Sequence, residues 1–336
     1  MANTVPTCDT PEIIRYVTDK AKDCPVQVLQ AGSVTKGLKG QELTDFDALL
    51  EAGAPCLTDD GINLTSAALC RTAMAEAAKR GTLLSFHEEE PSLVPSPGVN
   101  YGSAAAKHFG VPGAMASAES AMIGRDIALA LDTGARVLFQ HVSSVQSVAL
   151  IRAGKAMGAK IYAEVTPHHL LLCEDDISAD DGRFKMNPPL RDKSDREALL
   201  EGLADGTIDM IATDHAPHSA EEKGGGLEKS AMGIVGLETA FPLLYTYLVK
   251  PGVISFARLM ELLHDAPCRR FGIAPATGFT VFDLNRTYPI DPAEFLSMGR
   301  ATPFAGWSVQ GRCLLTAMDG QAVWYDKTLL EGEDAE

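Results

Sequence analysis

Four residues of types that commonly bind metals stand at the ends of short apolar runs: Asp60, His87, His141 and Asp214. Two imidazoles and two carboxylates form a ligand set that suits Zn²⁺ or a similar cation. Each residue taken alone has a plainer interpretation, because an aspartate after a strand is often a helix N-cap and a lone histidine is more often a satisfied polar residue. Together they predict a metal site, provided that the fold brings the ends of their strands to one place.

The elements that would position these residues alternate along the chain. The predicted strands cover residues 26–32, 54–60, 82–88, 136–143, 160–167 and 210–217, and the predicted helices cover residues 42–52, 66–80, 116–133, 145–157, 195–204 and 237–248. Six such units in series imply parallel strands joined by right-handed crossovers. A doubly wound sheet and a barrel share this pattern, and the barrel is favoured because it gathers all its strand ends at one mouth. The chain has no glycine-rich dinucleotide or P-loop pattern.

The N-terminal residues fit the same series only in part. Residues 3–6 resemble the end of a further strand, and residues 10–22 are predicted to form the helix after it. The six predicted strands and the end of a seventh do not complete an eight-stranded barrel. The count therefore predicts an α/β fold, a (β/α)8 TIM-type barrel that lacks its first strand and most of its second.

Residues 275–330 have a different pattern. The apolar runs FTVFDL, CLLTAM and QAVWYD are short and separated by turns, which is typical of a small β structure. Residues 285–298 are predicted to form a connecting loop or helix. We therefore divide the chain into an incomplete barrel over residues 1–274 and a small β-rich C-terminal segment over residues 275–330.

The composition excludes several kinds of partner. Acidic residues outnumber basic ones, 45 against 29 in 336 residues, for a net charge of −16. This argues against nucleic acid or an anionic membrane, because phosphate contacts require an excess of Lys and Arg. The seven cysteines contain no C-x-x-C pair, which argues against a disulfide framework and a zinc ribbon. No membrane-length apolar run or signal peptide is present, so the sequence predicts a soluble cytoplasmic protein.

Seven strings of the chain carry a more specific signal. They are TDDG at 58–61, FHEE at 86–89, QHVSS at 140–144, AEVTPHHLLL at 163–172, FKMNPPLR at 184–191, DGTIDMIATDHAPHSAEEK at 205–223 and GIVGLETAFPLLYT at 233–246. Together they resemble the amidohydrolase superfamily and, more narrowly, the bacterial-type (class I) dihydroorotases, from residue 1 to about residue 325. FHEE is a weaker match, since the family more usually has His-Cys-Glu-Asp there.

The resemblance implies a metal-dependent (β/α)8 barrel with two zinc ions. Asp60 matches the carboxylate that bridges the two metals, and His87 and His141 match ligands of the second metal. Asp214 matches the aspartate of the eighth strand, a metal ligand that also acts as general base and then general acid. The residues that match the family's substrate contacts are Asn3, Asn187, His218 and the backbone near Met232 and Gly233.

The implied reaction is the zinc-dependent, reversible hydrolysis of the cyclic amide of (S)-dihydroorotate to N-carbamoyl-L-aspartate. This is the third step of de novo pyrimidine biosynthesis. The implied partner is a small molecule; a homodimer and a complex with aspartate transcarbamoylase are the assemblies that stay open.

The chain departs from the family at one segment. The family's H-x-H-x-R sequence, which supplies two metal ligands and an arginine, would lie upstream of Asn3, and no H-x-H occurs elsewhere in the chain. His168 and His169 in TPHH are interpreted as a hydrogen-bonded structural pair. The chain is therefore expected to be N-terminally truncated. Asp60, His87 and His141 would leave one three-ligand site, so we expect at most one tightly bound zinc and little or no activity from this chain alone.

Three alternatives remain at this stage. A hydantoinase or allantoinase would share the chemistry, although an aspartate rather than a lysine at position 60 argues against a hydantoinase. A non-catalytic dihydroorotase-like subunit that supports aspartate transcarbamoylase would bind no zinc. A TIM-like barrel of other chemistry would explain the periodicity but not the seven strings.

Overall fold

Four parallel strands form the main sheet of the molecule, whose computed structural model describes residues 1–327. In chain order they are β1 (Leu83–Phe86), β2 (Arg136–Phe139), β3 (Ile161–Val165) and β4 (Met210–Ile211), and their order in the sheet is the same. All four residues of β1 are buried, as expected for a parallel strand with both faces covered. The pattern of strands followed by helices is the predicted one.

Two further chain positions extend this sheet beyond β1. Leu57 forms isolated parallel bridges with Gly32 on one side and with Leu84 of β1 on the other. The predicted strand over 54–60 is therefore reduced to a bridge. The strand predicted over 26–32 is wrong except at its last residue, because the backbone of 26–31 pairs with no neighbouring strand in the described part of the chain and Val26 and Val28 are exposed.

Residues 3–6, predicted as the end of another strand, form no strand either. The backbone turns back on itself there, and the N–H of Cys8 donates to the carbonyl of Ala2 at 3.0 Å. The helix predicted after them is present as α1 (Pro11–Ala21).

The remaining α-helices of the described residues are α2 (Phe46–Glu51), α3 (Ala67–Arg80), α4 (Ala104–Phe109), α5 (Ala116–Thr133), α6 (Val145–Ala156), α7 (Pro167–Leu171), α8 (Lys193–Asp205), α9 (Gly226–Lys229), α10 (Ala240–Leu244), α11 (Phe256–Met260) and α12 (Ala266–Phe271). Of these helices, α3, α5 and α6 contact the strands of the main sheet. α10 and α11 continue into π-helical turns, Tyr245–Val249 and Glu261–Asp265.

Side-chain caps explain where two helices begin. The carboxylate of Asp45 accepts from the N–H of Ala48, so α2 starts at residue 46 and not at the predicted 42. Asp192 and Asp195 form a capping box, which starts α8 two residues before the predicted 195. α5 has the predicted bounds, 116–133.

A second, antiparallel sheet follows the helices. It contains β5 (Phe279–Pro289), β6 (Ser308–Met318) and β7 (Gln321–Tyr325) in that order. The predicted β runs are present, but β5 extends through residue 289, so the first part of the predicted loop or helix over 285–298 is strand. The domain boundary at 274/275 stays a prediction, and residues 328–330 of that segment lie outside the described residues.

The core divides into two main parts. One cluster joins the main sheet to its helices and includes the fully buried side chains of Leu84, Ile123 and Phe139. Phe304 and Val309 belong to a second cluster, which includes residues of the C-terminal sheet. Within residues 1–327, no helix combines the length and the apolar composition needed to cross a membrane.

Candidate metal centre

The predicted metal residues follow the carboxyl ends of the parallel strands. His87 comes directly after β1, His141 two residues after β2, Asp214 three residues after β4, and Asp60 three residues after the bridge at Leu57. Because the strands are parallel, these ends share one edge of the sheet. His141 and Asp214 have positive φ angles of 33° and 47°. Such non-glycine conformations cost about 1–3 kcal/mol and occur often at functional sites.

Three of the four residues form a compact, buried group. One ligand atom each from Asp60, His87 and His141 lies within 4.8 Å of the others. His87 Nδ1 lies 3.0 Å from His141 Nε2. Burial, followed by repulsion from His141, lowers the pKa of His87 to about 3, and burial followed by repulsion from His169 lowers that of His141 to about 4. Both imidazoles are therefore neutral at pH 7, the form that binds metals.

Three acidic groups, Asp60, Glu164 and Asp214, lie at this edge of the sheet. Burial and the neighbouring Asp214 raise the pKa of Asp60 to about 7, and burial raises that of Asp214 to about 6. Burial, Asp214 and Asp60 together raise the pKa of Glu164 to about 8. In the described part of the chain, none of the three forms an ion pair with a lysine or arginine. Carboxylates placed together in this way fit a bound cation, which would offset their repulsion.

Glu164 was not predicted as a site residue. It lies on β3, where Tyr162 and Glu164 alternate with the buried residues 161, 163 and 165. An acidic residue inside an otherwise apolar strand was the available signal, whereas the predicted metal residues all stand at strand ends.

The pocket around this group contains every predicted site residue. Its volume is about 900 Å³, within the range of small-molecule sites. The predicted residues in its wall are Asn3, Asp60, His87, His141, Asn187, Asp214, His218, Met232 and Gly233. Their roles stay predictions, but the fold brings all nine to one place.

The predicted substrate residues contact the metal residues or each other. Asn3 Nδ2 donates to Asp60 Oδ2 at 3.5 Å, and Asn187 Nδ2 lies 3.4 Å from His87 Nε2. On the other side of the pocket, His218 Nε2 lies 2.9 Å from the carbonyl oxygen of Met232. The pocket thus has polar amide and imidazole groups on both sides of the metal group.

The helix-cap interpretation of Asp60 is wrong, because Ser66 caps α3. The neighbouring Asp59 accepts from the N–H groups of Val34 and Thr35 at 2.8–3.1 Å, which anchors a loop. The side chain of Asp60 instead lies in the pocket wall.

Proteins of similar sequence identify the family of this chain. A family profile described as "Dihydro-orotase-like" matches residues 1–147. Dihydroorotase of Brevibacillus brevis is 47% identical over 335 residues, which covers 96% of this chain and 78% of that protein. Dihydroorotase of Halalkalibacterium halodurans is 47% identical over 336 residues, 97% of this chain and 78% of its own length. The chain belongs to the dihydroorotase family.

Solved structures place the fold of this dihydroorotase family member among the amidohydrolase barrels. It is similar to L-hydantoinase from Arthrobacter aurescens, with a TM-score of 0.85 and 25% identity over 97% of this chain and 76% of that one. A dihydropyrimidinase from Brevibacillus agri gives a TM-score of 0.78 at 20% identity, over 94% of this chain and 74% of that one. The predicted TIM-type fold is confirmed, and a barrel of unrelated chemistry is excluded.

A buried carboxylate, also not predicted from the sequence, holds the segment that follows His141 in this dihydroorotase family member. Glu119 on α5 accepts hydrogen bonds from the N–H and hydroxyl groups of Ser143 and Ser144, just after His141. Arg191 Nε donates to Ser143 Oγ at 3.2 Å. The signal was weak, because an acidic residue in a helix usually faces solvent.

The adjacent histidines in TPHH differ from each other. His169 Nδ1 lies 2.7 Å from Thr166 Oγ1 and its Nε2 lies 3.0 Å from the carbonyl oxygen of Pro188. This supports the structural interpretation, and it fixes the segment after Asn187. His168 Nε2 is buried and has no hydrogen-bond partner among the described residues, so the prediction of a hydrogen-bonded pair is confirmed for His169 only.

Proposed function

We propose that this chain carries the site of a dihydroorotase, which hydrolyses the ring amide of (S)-dihydroorotate to N-carbamoyl-L-aspartate and catalyses the reverse cyclisation. The observation that supports this most is the pocket itself. The nine predicted site residues, from distant parts of the sequence, all lie in its wall around the buried group of Asp60, His87 and His141. Family membership favours the same substrate, because the curated relatives bear the name dihydroorotase.

We propose that Asp60, His87 and His141 hold one zinc ion. Two neutral imidazoles and one carboxylate match a catalytic zinc site, which keeps a further position open. Zinc there would supply Lewis-acid polarisation and would acidify a water molecule near neutral pH. The expectation of at most one tightly bound zinc in this chain stays a prediction.

Asp214 is the proposed proton carrier. It lies in the pocket wall, and its carboxylate is mostly ionised above pH 6 because its pKa is about 6. It would accept the proton of the attacking water and then donate it to the ring nitrogen as the amide bond breaks. The net change adds water across one C–N bond, so the aspartate returns to its starting state.

The remaining predicted residues are proposed to bind the substrate. The side chains of Asn3, Asn187 and His218 carry hydrogen-bond donors at the pocket, and the backbone at Met232 and Gly233 lies beside them. These groups would orient the amide and carboxylate of the ring. They would also hold the ring carbon in reach of the attacking water.

A metal and substrate assay tests this function. The purified chain is loaded with zinc, its metal content is measured, and ring opening of dihydroorotate, hydantoin and allantoin is followed by chromatography. We expect about one zinc per chain, and dihydroorotate as the only ring opened, at a low rate.

Other outcomes would contradict this function. Two tightly bound zinc ions would contradict the single three-ligand site. Faster opening of hydantoin or allantoin would make the chain a different cyclic amidohydrolase. A zinc-free chain without turnover that co-purifies with aspartate transcarbamoylase would favour the non-catalytic subunit.

A further inference from the structure

A buried lysine beside the pocket has an unusual set of partners. The ammonium of Lys223 donates to three backbone carbonyls, those of Ala231 at 2.7 Å, Gly233 at 2.8 Å and Lys185 at 3.1 Å. The residue is 8% exposed. Within residues 1–327 it forms no ion pair, so the three carbonyls satisfy its three donors.

These carbonyls belong to the two segments that carry predicted substrate contacts. Lys185 stands two residues before Asn187, and Ala231 and Gly233 flank Met232. The N–H of Gly233 also donates to the carbonyl of Lys185 at 3.0 Å. The ammonium group therefore ties the two segments together at one point.

The carbonyl of Met232 points the other way from those of its neighbours. It lies 2.9 Å from His218 Nε2, while the carbonyls of Ala231 and Gly233 face Lys223. Gly233 has a φ of +116°, and a Cβ there would come within 2.4 Å of Ala216 Cβ. The segment is thus held from both sides, with His218 and Ala216 on one and Lys223 on the other.

Burying this charge has a cost that its own contacts must offset. Burial and repulsion from Lys185 lower the pKa of Lys223 to about 8, although Asp181 attracts it. The ammonium form still predominates at pH 7. Burying a cation without a carboxylate partner costs free energy, and the contacts that offset this cost are the three carbonyls of the two segments.

We propose that Lys223 is a positioning residue that sets the spacing between Asn187 and the Met232–Gly233 backbone, and thereby the affinity of the pocket for the ureido acid and its cyclic form. This inference rests on the proposed function. None of the three hydrogen bonds of the Lys223 ammonium reaches a proposed metal ligand. Replacing Lys223 should therefore leave zinc binding unchanged.

The test compares Lys223→Met with Lys155→Met in the zinc-loaded chain. Lys155 is a suitable control, because its partly buried ammonium also donates to backbone carbonyls, those of Thr207 at 2.8 Å and Gly206 at 3.3 Å, which lie outside the two segments and outside the pocket wall. Calorimetry measures binding of N-carbamoyl-L-aspartate. We expect the Kd to rise about 10- to 100-fold in Lys223→Met and to change less than about twofold in Lys155→Met, with equal zinc content in both.

A second variant and a second measurement cover other outcomes. Lys223→Gln keeps two donors and should raise the Kd by less than Lys223→Met. Hydrogen exchange of a peptide over residues 227–236 should be faster in Lys223→Met than in Lys155→Met. Equal Kd values in the wild type and Lys223→Met, or equal losses in the two Met variants, would overturn the inference.

The two proposals fail in different ways. A wild-type chain that binds neither N-carbamoyl-L-aspartate nor dihydroorotate contradicts the proposed function. In that case the hydrogen-exchange comparison alone tests whether Lys223 holds the two segments in place. Unchanged exchange in Lys223→Met would overturn this role.

Discussion

The two sides of the pocket are built differently. On the strand side, Asp60, His87 and His141 are each no more than 8% exposed and follow the ends of parallel strands. On the loop side, Met232 is 38% exposed, and His218 is half-buried on an irregular segment. The strand side has its geometry set by the sheet, whereas the loop side depends on a few side-chain contacts with backbone carbonyls.

This difference matches two separate requirements. A metal site needs its ligand atoms at set distances, which strands supply because their backbone is fixed by ladder hydrogen bonds. A substrate site must admit and release its ligand, and loops do this at low cost. Changes on the strand side should therefore act on metal binding, and changes on the loop side on ligand binding.

The largest expected effect is on the strand side, at His87. His87→Ala removes one of three ligand atoms, and we expect zinc affinity to fall by more than about 100-fold, since even the partners of ligands are worth 10- to 100-fold. His87 is preferred to His141 because the latter has a positive φ that alanine would adopt poorly. Chelator competition measures the affinity.

His264→Ala is the matched control for that variant. His264 is exposed and pairs with Asp265 at 2.7 Å, away from the pocket. Zinc affinity should be unchanged in the control. A zinc affinity of His87→Ala equal to that of the control would remove His87 from the metal site.

The second largest effect is expected at Asp214, where a substitution can separate proton transfer from metal binding. Asp214→Asn should reduce ring opening by about 10²–10⁴-fold while it leaves one zinc bound at Asp60, His87 and His141. Asparagine tolerates the positive φ of 47° at this position, so the backbone should keep its shape. Turnover and zinc content are measured on the same sample.

Asp132→Asn serves as the control for this change. Asp132 pairs with Arg71 at the surface, so neither turnover nor zinc content should change. Loss of the bound zinc in Asp214→Asn would show that this residue holds the metal rather than only the proton.

A third prediction concerns the support behind His141. Glu119→Gln replaces one carboxylate oxygen by an amide N–H₂. With the amide oxygen kept against Ser144, the N–H₂ faces the N–H and hydroxyl groups of Ser143, and this buried hydroxyl loses its acceptor. We expect the free energy of unfolding to fall by about 2–3 kcal/mol. Urea denaturation measures it, and zinc affinity should fall several-fold because the loop after His141 loosens.

Glu90→Gln tests the same chemistry at an exposed location. Glu90 also accepts from a serine N–H and hydroxyl, those of Ser92, but these hydrogen bonds are exposed to solvent. A change within about 0.5 kcal/mol is expected. Equal losses in the two variants would show that burial of Glu119 contributes nothing.

The strand side was also the more predictable side from sequence. Periodicity located β1 to β3 within a few residues, and the residues after them were predicted to meet because parallel strands end at one edge. The strand over 26–32 was not predictable in this way, because an apolar run forms a strand only where neighbours supply its hydrogen bonds. Val26 and Val28 are instead exposed.

The residues of the loop side were predicted only from the resemblance to the dihydroorotases. Asn187, His218 and the Met232–Gly233 backbone have no periodicity that would bring them together. Lys223 was not predicted at all, since its three acceptors are backbone carbonyls at 185, 231 and 233, which no residue type reveals. Contacts of a side chain with a distant backbone leave no pattern in the sequence.

The smallest expected effect is on the loop side, at Ser297, which joins the segment after β5 to the pocket. Its hydroxyl donates to Glu238 Oε1 at 2.7 Å and lies 3.4 Å from His215 Nε2. Ser297→Ala should cost only about 0.5–1 kcal/mol of unfolding free energy, because its N–H still donates to Glu238 at 2.8 Å. We expect zinc affinity to stay unchanged and the Kd of N-carbamoyl-L-aspartate to rise at most a few-fold, measured by calorimetry on the zinc-loaded chain. A loss of zinc in this variant would break the distinction between the two sides, because a loop contact would then control the strand side.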